Sequence, residues 1–476
     1  MQKLLDWQEV EVAAMKARVT LGEMPQEDFD IIVAALKTHP PNVCWWKCRD
    51  GKIRHDLNAF LEERIRWIPK ELQHWFHKGM TSYDTEEAAL AKALKASLNL
   101  VLDAHYDLMG VLKKSTLKYR YTPMMADTHG QWADVQTFGK RQACWYKDLQ
   151  TDYIVLSLLK PLLDYSKLSG FVGNYTNMDP AIEKVTLQNL GLEPYLGATQ
   201  IVPKEVSAPT AFAIAQLSKT LQKIFLAIRL GARSGTCIYQ EPFGKMQKGS
   251  SAAPQKRNTI LSERGGGLDN MIEGYLGMLL RNIVTWEERS IEHSCVERVA
   301  WPDMFHAIIC SLETLTKVIR GLKVYPDKMM EEIVRTNGTY AASEAKDRLK
   351  ELALSFGLSV ESCYRIVQLA AFNLGYSSNQ AVVPDSIDEA DQLLQEAQNR
   401  PLDPMPRRSI RDVIRNGELV YCDQLAATSP TIRRWNQTLR RIFKSPEANR
   451  LWDEVFTLTY LLRNEPTIFY QVMMEK

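Results

Sequence analysis

Apolar residues recur every three or four positions over long stretches of this chain, which is the period of an amphipathic α-helix. The clearest stretch runs from Glu86 to Tyr121 and contains one glycine and no proline, so nothing in it should break a helix. At 1.5 Å per residue, we expect a helix of roughly 50 Å there. The same pattern predicts further long helices over about 135–167, 209–232 and 262–290, whereas alternating strand patterns are weak.

Helices of this length predict an all-α chain with three regions. We expect an N-terminal helical domain over 1–84, a central long-helix bundle over 85–323 and a C-terminal helical domain over 324–476. A polar, proline-containing stretch at about 377–408 is interpreted as an insertion, and the chain after it as an extended tail. Long helices with apolar faces are typical of bundles that are shared between subunits, so we also expect a homotetramer.

The composition excludes several classes of protein. The 476 residues are 45% hydrophobic and 24% charged, with a net charge of +2, so no general field attracts nucleic acid or a membrane. The N-terminal segment has no signal-peptide pattern and no apolar run is long enough to span a bilayer, which predicts a cytoplasmic protein. The eight cysteines are scattered and predict free thiols. Cys44 and Cys48 are expected to be buried rather than to bind a metal, and no motif indicates a cofactor.

Five short segments combine titratable residues with turn residues. They are "RHD" (54–56), "HKGMTSYD" (77–84), "THGQWADVQTFG" (128–139), "KGSSAAPQKRN" (248–258) and "RSIEHSCVER" (289–298). Singly, each has an ordinary interpretation: Thr81, Ser82 and Asp84 can cap a helix, and a lone His105 on a helix face is more often a packing residue. Together, hydroxyl pairs at a helix start, several arginines and histidines near loops predict a proton-transfer enzyme for a substrate with carboxylates.

The loop "GSSAAPQKRN" resembles the G-S-S-x-x-P-x-K-x-N signature of the fumarase/aspartase superfamily, whose homotetrameric lyases eliminate fumarate from a succinyl group. The other segments, together with "SGFVGNYTNMDP" (169–180), resemble in the same order the bacterial-type adenylosuccinate lyase family. The resemblance covers about residues 5–370 and, more weakly, 408–443. It implies a three-domain helical fold with a tetramer core of about twenty helices. The implied activity is β-elimination of fumarate from adenylosuccinate, and from the succinylated aminoimidazole carboxamide ribotide, in purine nucleotide biosynthesis.

The resemblance also implies roles for individual residues, in sites that three subunits build without metal or cofactor. Ser250 matches the general base and His129 the general acid. His77 matches an active-site histidine, and Glu263 a carboxylate that pairs with an active-site histidine. Lys256 is placed at the carboxylate beside the developing carbanion. The remaining matches are substrate contacts on the nucleotide, succinyl and phosphate sides: Arg54, His55, Asp56, Thr81, Ser82, Gln200, Ser251, Asn258, Arg289, Ser294 and Arg298.

A serine is too weak an acid to serve as a base unless nearby positive charge and N–H donors lower its pKa strongly. A glycine-started loop that carries a lysine can supply both, and a loop that closes over the substrate excludes water. We therefore expect the loop 248–259 to carry the proton-abstraction chemistry.

The chain also departs from the family. Ala253, Gln255 and Thr259 stand where Met, His and Pro are common, and only Lys204 follows Gln200 where arginine is common. The family's phosphate-binding N-terminal Arg-Tyr pair has no counterpart, and Arg407, Arg408 and Arg411 are candidate replacements. Two alternatives therefore stay open: a fumarate-releasing lyase with another succinylated nucleotide or amine as substrate, and a non-catalytic paralogue.

Overall fold

The computed structural model describes residues 1–374, 408–421 and 428–474 and confirms the mainly helical fold. Of the predicted insertion, residues 377–407 lie outside the described ranges, as does the candidate Arg407. Eighteen α-helices are described, and they are numbered here in chain order: Gln2–Thr20 (α1), Gln26–Thr38 (α2), Val43–Ile53 (α3), Asp56–Ile65 (α4), Ser82–Lys118 (α5), Phe138–Leu159 (α6), Pro180–Asn189 (α7), Ala208–Gly231 (α8), Ile260–Arg281 (α9), Glu292–Arg320 (α10), Pro326–Arg335 (α11), Ala342–Ala353 (α12), Val360–Asn373 (α13), Ile410–Arg415 (α14), Ser429–Ile442 (α15), Pro446–Val455 (α16), Leu458–Leu461 (α17) and Glu465–Met474 (α18).

Five of the described helices, α5, α6, α8, α9 and α10, have between 22 and 37 residues, which fits the predicted long-helix pattern. Their bounds differ from the predicted ones. The helix predicted over 262–290 ends at Arg281, and the sequence pattern did not single out α10, which contains Pro302. The helix predicted from residue 135 begins only at Phe138 because the residues before it pair as a strand.

The described strands form three two-stranded sheets. The largest is an antiparallel hairpin of β1 (Pro123–Thr128) and β2 (Gln131–Thr137), which the weak strand signal did not predict. Its turn residues are His129 and Gly130, with φ angles of 55° and 75°. Positive φ at both central positions is the signature of the type I′ turn that matches the twist of a hairpin. The other two sheets pair Tyr165–Ser166 (β3) with Glu193–Pro194 (β4), and Tyr239–Gln240 (β5) with Lys323–Val324 (β6).

The chain divides into two compact units. The first contains residues 1–111, 147–229 and 243–321, and the second contains residues 112–146, 230–242 and 322–476. In the first unit, Trp7, Phe60 and Ile182 belong to a core formed by α1, α4 and α7. In the second, Trp452 and Leu439 belong to a core formed by the helices after Gly338. The three domain boundaries taken from the sequence stay a prediction.

The burial of three single residues can be compared with what the sequence predicted. His105 is fully buried with its ring edge-on to Tyr153, and burial lowers the pKa of its imidazole to about 4. It is a packed core residue, as its lone position on a helix face indicated. The prediction for Cys44 and Cys48 is wrong, because both side chains are exposed on α3. None of the described helices is long and apolar enough to cross a membrane.

The close approach of α8 and α9 gives the first prediction. A Cβ on Gly265 would lie 2.3 Å from the ring of the fully buried Phe225, so Gly265→Ala should destabilise the protein by about 1–3 kcal/mol through overpacking. Gly267→Ala, two residues along the same helix, meets no atom within 4 Å and should stabilise the chain by about 0.5–1 kcal/mol. Thermal unfolding of the two variants measures the difference, and equal melting temperatures would contradict the packing described here.

Candidate active site

The first turn of α5 organises the site. The N–H of Thr81 donates to Asp84 Oδ2 at 2.8 Å, and the N–H of Asp84 donates back to the carbonyl of Thr81 at 2.9 Å. The first of these bonds is one half of a capping box, in which the side chain of the third helical residue accepts the N–H of the N-cap residue. It explains why α5 begins at Ser82, four residues before the predicted start. The predicted hydroxyl pair, Thr81 and Ser82, therefore stands at a helix N-terminus, where anions are stabilised.

Asp84 is also half of a buried ion pair. Its Oδ1 lies 2.7 Å from Lys167 Nζ and accepts the N–H of Gly170 at 3.2 Å, and both charged side chains are fully buried. Lys167 Nζ donates in turn to the carbonyls of Gly170 at 2.7 Å and Gln200 at 3.2 Å. One ion pair thus joins the start of α5 to two loops that are far away in sequence.

Three predicted substrate contacts meet around Tyr83. Arg289 Nη1 donates to the side-chain oxygen of Gln200 at 3.3 Å, and its guanidinium lies 3.8 Å from the centre of the Tyr83 ring. Ser294 hydrogen-bonds to the Tyr83 hydroxyl, and Tyr83 is only 4% exposed. The buried Arg289 Nε has no hydrogen-bond partner among the described residues.

A second group of predicted residues is joined by charge. Arg298 Nη2 lies 2.8 Å from Asp56 Oδ2 and 3.3 Å from Glu86 Oε2, and Lys3 Nζ lies 3.2 Å from the same Asp56 oxygen. Burial raises the pKa of Asp56, but the charges of Lys3 and Arg298 outweigh burial and hold that pKa below its ordinary value. Burial and the charge of Asp56 raise the pKa of Glu86.

Arg54 and His55 flank this group at the surface. Arg54 ends α3 with a φ of 53°, and His55 begins α4 by accepting the N–H of Asn58 at its Nδ1, at 3.2 Å. Both side chains are exposed, so they are free to contact a ligand.

A cavity of about 450 Å³ opens between the residues of α1, α5 and α10 that carry these groups. Its polar side is lined by Tyr83, Glu86, Ser294 and Arg298, and its other side by apolar residues of α5 and α10. Volumes of this order accommodate small-molecule ligands.

The imidazole of His77 is bound by a buried carboxylate. Its Nδ1 lies 2.8 Å from Glu11 Oε1, which also accepts the hydroxyl of Thr85 at 2.6 Å. Burial lowers the pKa of His77, but the charge and hydrogen bond of Glu11 and the charge of Asp84 outweigh it and raise that pKa above its ordinary value.

The signature loop closes on itself. Ser250 Oγ accepts the N–H groups of Ala252 at 3.3 Å and Ala253 at 3.1 Å, and Asn258 Nδ2 donates to the carbonyl of Gly249 at 3.1 Å. A Cβ at Gly249 would lie 1.9 Å from the carbonyl oxygen of Lys256, so only glycine allows this approach. The loop therefore presents two N–H donors to one serine oxygen, and that serine is Ser250.

The other loop residues point to solvent. Ser251 and Lys256 are exposed, and the exposed Glu263 accepts the hydroxyl of Thr259 at 3.2 Å. His77, a predicted site histidine, pairs with Glu11 in the described part of the chain. The pairing expected of Glu263 stays a prediction.

His129 lies at the tip of the β1–β2 hairpin, in the second compact unit, and its side chain is exposed. A non-glycine residue with positive φ is uncommon, and such strain is concentrated at functional sites. The exposed imidazole is therefore accessible to a ligand.

The single chain therefore brings some of the predicted residues together and leaves others apart. The group around Tyr83 and the group around Asp56 both include residues at the N-terminal ends of α5 and α10. The hydrogen bonds described for Ser250 and Asn258 lie within the signature loop itself. Sequence reasoning missed Tyr83, Lys167 and Glu11. Glu11 had a usable signal, because it falls on the apolar stripe of α1, four residues after Trp7. Lys204 binds the buried Glu87 and Glu297 at 2.8 and 3.0 Å, which is a structural role.

Within the described ranges, no group of three or more His, Cys, Asp or Glu side chains is arranged to hold a metal ion.

Comparisons with known proteins place this geometry in context. A family model described as "Lyase" matches residues 2–272. The chain is 34% identical to an adenylosuccinate lyase from Synechocystis sp., over 78% of this chain and 84% of that protein. It is 30% identical to the adenylosuccinate lyase of Aquifex aeolicus, over 89% and 96% of the two chains. The enzyme of the same name from Bacillus subtilis is 32% identical over 76% of this chain and 82% of that protein.

Solved structures share the fold. A fumarate lyase from Mesorhizobium sp. BNC1 superimposes with a TM-score of 0.71 at 18% identity, over 95% of both chains. The β-carboxy-cis,cis-muconate cycloisomerase of Acinetobacter calcoaceticus superimposes with a TM-score of 0.72 at 17% identity, over 95% of both chains. At these identities the likeness shows the fold alone.

The ion pair at the start of α5 gives the second prediction. Lys167→Met leaves Asp84 charged and buried without its partner, so it should lower the free energy of unfolding by about 3–5 kcal/mol. Lys219→Met is the matched control, because Lys219 is half exposed in its ion pairs with Asp269 and Glu273, and it should cost at most about 1 kcal/mol. Urea unfolding followed by circular dichroism gives both values. Similar losses in the two variants would show that the buried pair has no special structural role.

Proposed function

Because this chain belongs to the lyase family and is a fumarate-releasing C–N lyase, we propose that it eliminates fumarate from adenylosuccinate to give AMP in purine nucleotide biosynthesis. The observation that carries the proposal is the closed signature loop, in which two backbone N–H groups donate to the hydroxyl oxygen of Ser250. The succinylated aminoimidazole carboxamide ribotide is proposed as a second substrate, since it presents the same succinyl group.

Ser250 is proposed as the general base. It takes the proton from the succinyl carbon beside a carboxylate, and the electron pair left behind is delocalised into that carboxylate. N–H donors aimed at the serine oxygen stabilise its deprotonated form, which lowers the cost of using serine as a base. The positive charge of Lys256 and the amide of Asn258, on the same loop, are suited to bind the carboxylate dianion that forms.

His129 is proposed as the general acid. As the carbon–nitrogen bond breaks, the electron pair goes to the departing nitrogen, and a histidine can supply the proton near neutral pH. The exposed position of His129 at a hairpin tip supports this role, because an acid must reach the substrate from the protein surface. The products are fumarate and the amine of the nucleotide, so atoms and charge balance.

Substrate binding is proposed for the two groups of charged residues. Thr81 and Ser82 at the N-terminus of α5 suit the succinyl carboxylates. Gln200, Arg289 and Ser294 around Tyr83 suit the succinyl and phosphate groups. Arg54, His55, Asp56 and Arg298 are assigned to the nucleotide side. Ser251, beside the base, completes the loop contacts. No step of this β-elimination calls for a cofactor.

A homotetramer with sites shared by three subunits is proposed as the active form. Large apolar side chains lie at the surface of the chain on the helices of the first unit and on the segment after α9. Examples are Leu158, Phe212, Val284 and Trp286, which are 57–78% exposed. Large exposed apolar side chains are consistent with the subunit interfaces of such a tetramer. A cytoplasmic location stays a prediction from the sequence.

One observation favours a related substrate as a second candidate. Ala253, Gln255 and Thr259 stand at loop positions where the resembled family commonly has other residues. A different succinylated nucleotide or amine would retain the same elimination with different contacts outside the succinyl group.

The adjacent serines give the third prediction. Ser250→Ala should lower kcat for fumarate release from adenylosuccinate by about 10²- to 10⁴-fold, because the general base is lost. Ser251→Ala retains the base and the two N–H donors, so its kcat should stay within about tenfold of the parent chain. Absorbance of the released fumarate measures both. The assignment is wrong if Ser250→Ala turns over as fast as the parent chain.

The shared site gives the fourth prediction. Ser250→Ala and His129→Asn should each retain at most about 1% of the parental activity. Asparagine is used at 129 because it tolerates the positive φ of the hairpin turn. If one site takes Ser250 and His129 from different subunits, mixed tetramers of the two variants should regain about a quarter of the parental activity. The variants are unfolded together, refolded and assayed. Failure to regain activity, with tetramers present by sedimentation, would place both residues on one subunit.

A further inference from the structure

We propose that Glu11 is a positioning residue that keeps His77 in the imidazolium form, so that His77 presents a fixed positive charge and its Nε2–H to a carboxylate of the substrate. The identity of that substrate rests on the proposed function. The role of Glu11 rests on the geometry of the first unit alone.

The geometry fixes which ring nitrogen faces which partner. Glu11 Oε1 lies 2.8 Å from His77 Nδ1, so Nδ1 carries the proton that it donates. Nε2 has no hydrogen-bond partner among the described residues, and the His77 side chain is 17% exposed, whereas that of Glu11 is fully buried. A histidine fixed at one nitrogen by a carboxylate presents the other nitrogen outward, in a known tautomer and orientation.

Because Glu11 is buried, its negative charge needs a nearby positive charge. Glu11 has two recorded partners, His77 and the hydroxyl of Thr85, and its second oxygen is buried without a partner in the described part of the chain. A buried carboxylate that lacks a cation is strongly disfavoured. The neighbouring charges are already engaged, since Asp84 binds Lys167 and Arg18 binds Glu23. His77 is therefore the group that can neutralise Glu11.

The backbone holds His77 rigidly in place. Its φ is 60°, a left-handed conformation that is strained for a residue with a side chain. Arg18 Nη2 donates to the carbonyl of the next residue, Lys78, at 2.7 Å. A Cβ at Gly79 would lie 2.3 Å from the carbonyl oxygen of Asn177, so this segment packs closely on its neighbour. Such constraints prepare the imidazole for a ligand before it arrives.

The direction of the pH effect follows from these contacts. The charge and hydrogen bond of Glu11 and the charge of Asp84 raise the pKa of His77 against the opposing effect of burial. Without the charge of Glu11, burial acts with less opposition and the pKa of His77 falls. His77 then loses its proton at a lower pH, and the site loses its cation at the pH where the lyase is assayed.

Glu11→Gln is the central variant, because it removes the charge and retains the shape. Thr85→Val is its matched control: it also removes one buried hydrogen bond of Glu11 but leaves the carboxylate and its charge. Glu9→Gln controls for the substitution itself, since Glu9 is an exposed residue of the same helix that pairs with Lys92. Glu11→Asp keeps the charge at a longer distance and serves as the partial rescue.

The first measurement does not depend on activity. Diethyl pyrocarbonate modifies only neutral imidazole, so the pH dependence of labelling at His77, read by peptide mass spectrometry on the substrate-free protein, reports its protonation. Glu11→Gln should shift the labelling midpoint of His77 to lower pH by at least about one unit, a tenfold change in protonation. Thr85→Val and Glu9→Gln should leave the midpoint near that of the parent chain, and Glu11→Asp should lie between. An unchanged midpoint in Glu11→Gln overturns the proposal, and if that variant does not fold, Glu11→Asp decides in the same way.

The second measurement uses adenylosuccinate. In Glu11→Gln, KM at pH 7.5 should rise by about tenfold or more while kcat changes less, because a contact to the bound substrate is lost rather than a proton-transfer group. A variant that lowers kcat alone would contradict a role in substrate binding. If the parent chain itself releases no fumarate from adenylosuccinate, the proposed substrate is wrong, and the labelling result still tests Glu11.

Discussion

The buried ion pair between Asp84 and Lys167 is the constraint on which the rest of the site depends. Neither charge reaches solvent, so each must satisfy its hydrogen bonds inside the protein. Asp84 does so with the N–H groups of Thr81 and Gly170, and Lys167 with the carbonyls of Gly170 and Gln200. The start of the longest described helix and two loops are therefore positioned by one interaction. Because those segments carry substrate-binding candidates, the geometry of the site is tied to the stability of the fold.

The same principle of paired charges extends across the site. Arg298 is bound by Asp56 and Glu86, and Lys204 by two buried glutamates. If Arg298 binds an anionic substrate as proposed, that substrate must compete with these carboxylates, whereas Lys256 on the signature loop is exposed. Such an arrangement favours selectivity between anions over general attraction of anions. An anion binds Arg298 only where its contacts with the guanidinium are better than those of the carboxylate that it displaces.

The sequence predicted what depends on local pattern and missed what depends on contacts across the chain. The stripe of apolar residues was sufficient for four of the five long helices and missed α10, and the loop signature singled out Ser250. The β1–β2 hairpin was not predicted because its turn is made by His129 and Gly130 rather than by a common turn pair. Lys167 and Tyr83 were missed for a different reason. Their partners, Asp84 and Arg289, are far away in sequence, and only the fold brings them together.

The signature loop shows why its departures from the resembled family need not alter the chemistry. The groups that donate to Ser250 Oγ are the backbone N–H groups of Ala252 and Ala253, and every residue except proline supplies such a donor. The closure of the loop depends on Gly249 and Asn258, both of which belong to the signature. A change of side chain at 253 or 255 therefore leaves the environment of the serine oxygen in place and alters only what the loop presents outward. The loop can thus retain proton abstraction from a succinyl group while its recognition of the rest of the substrate changes.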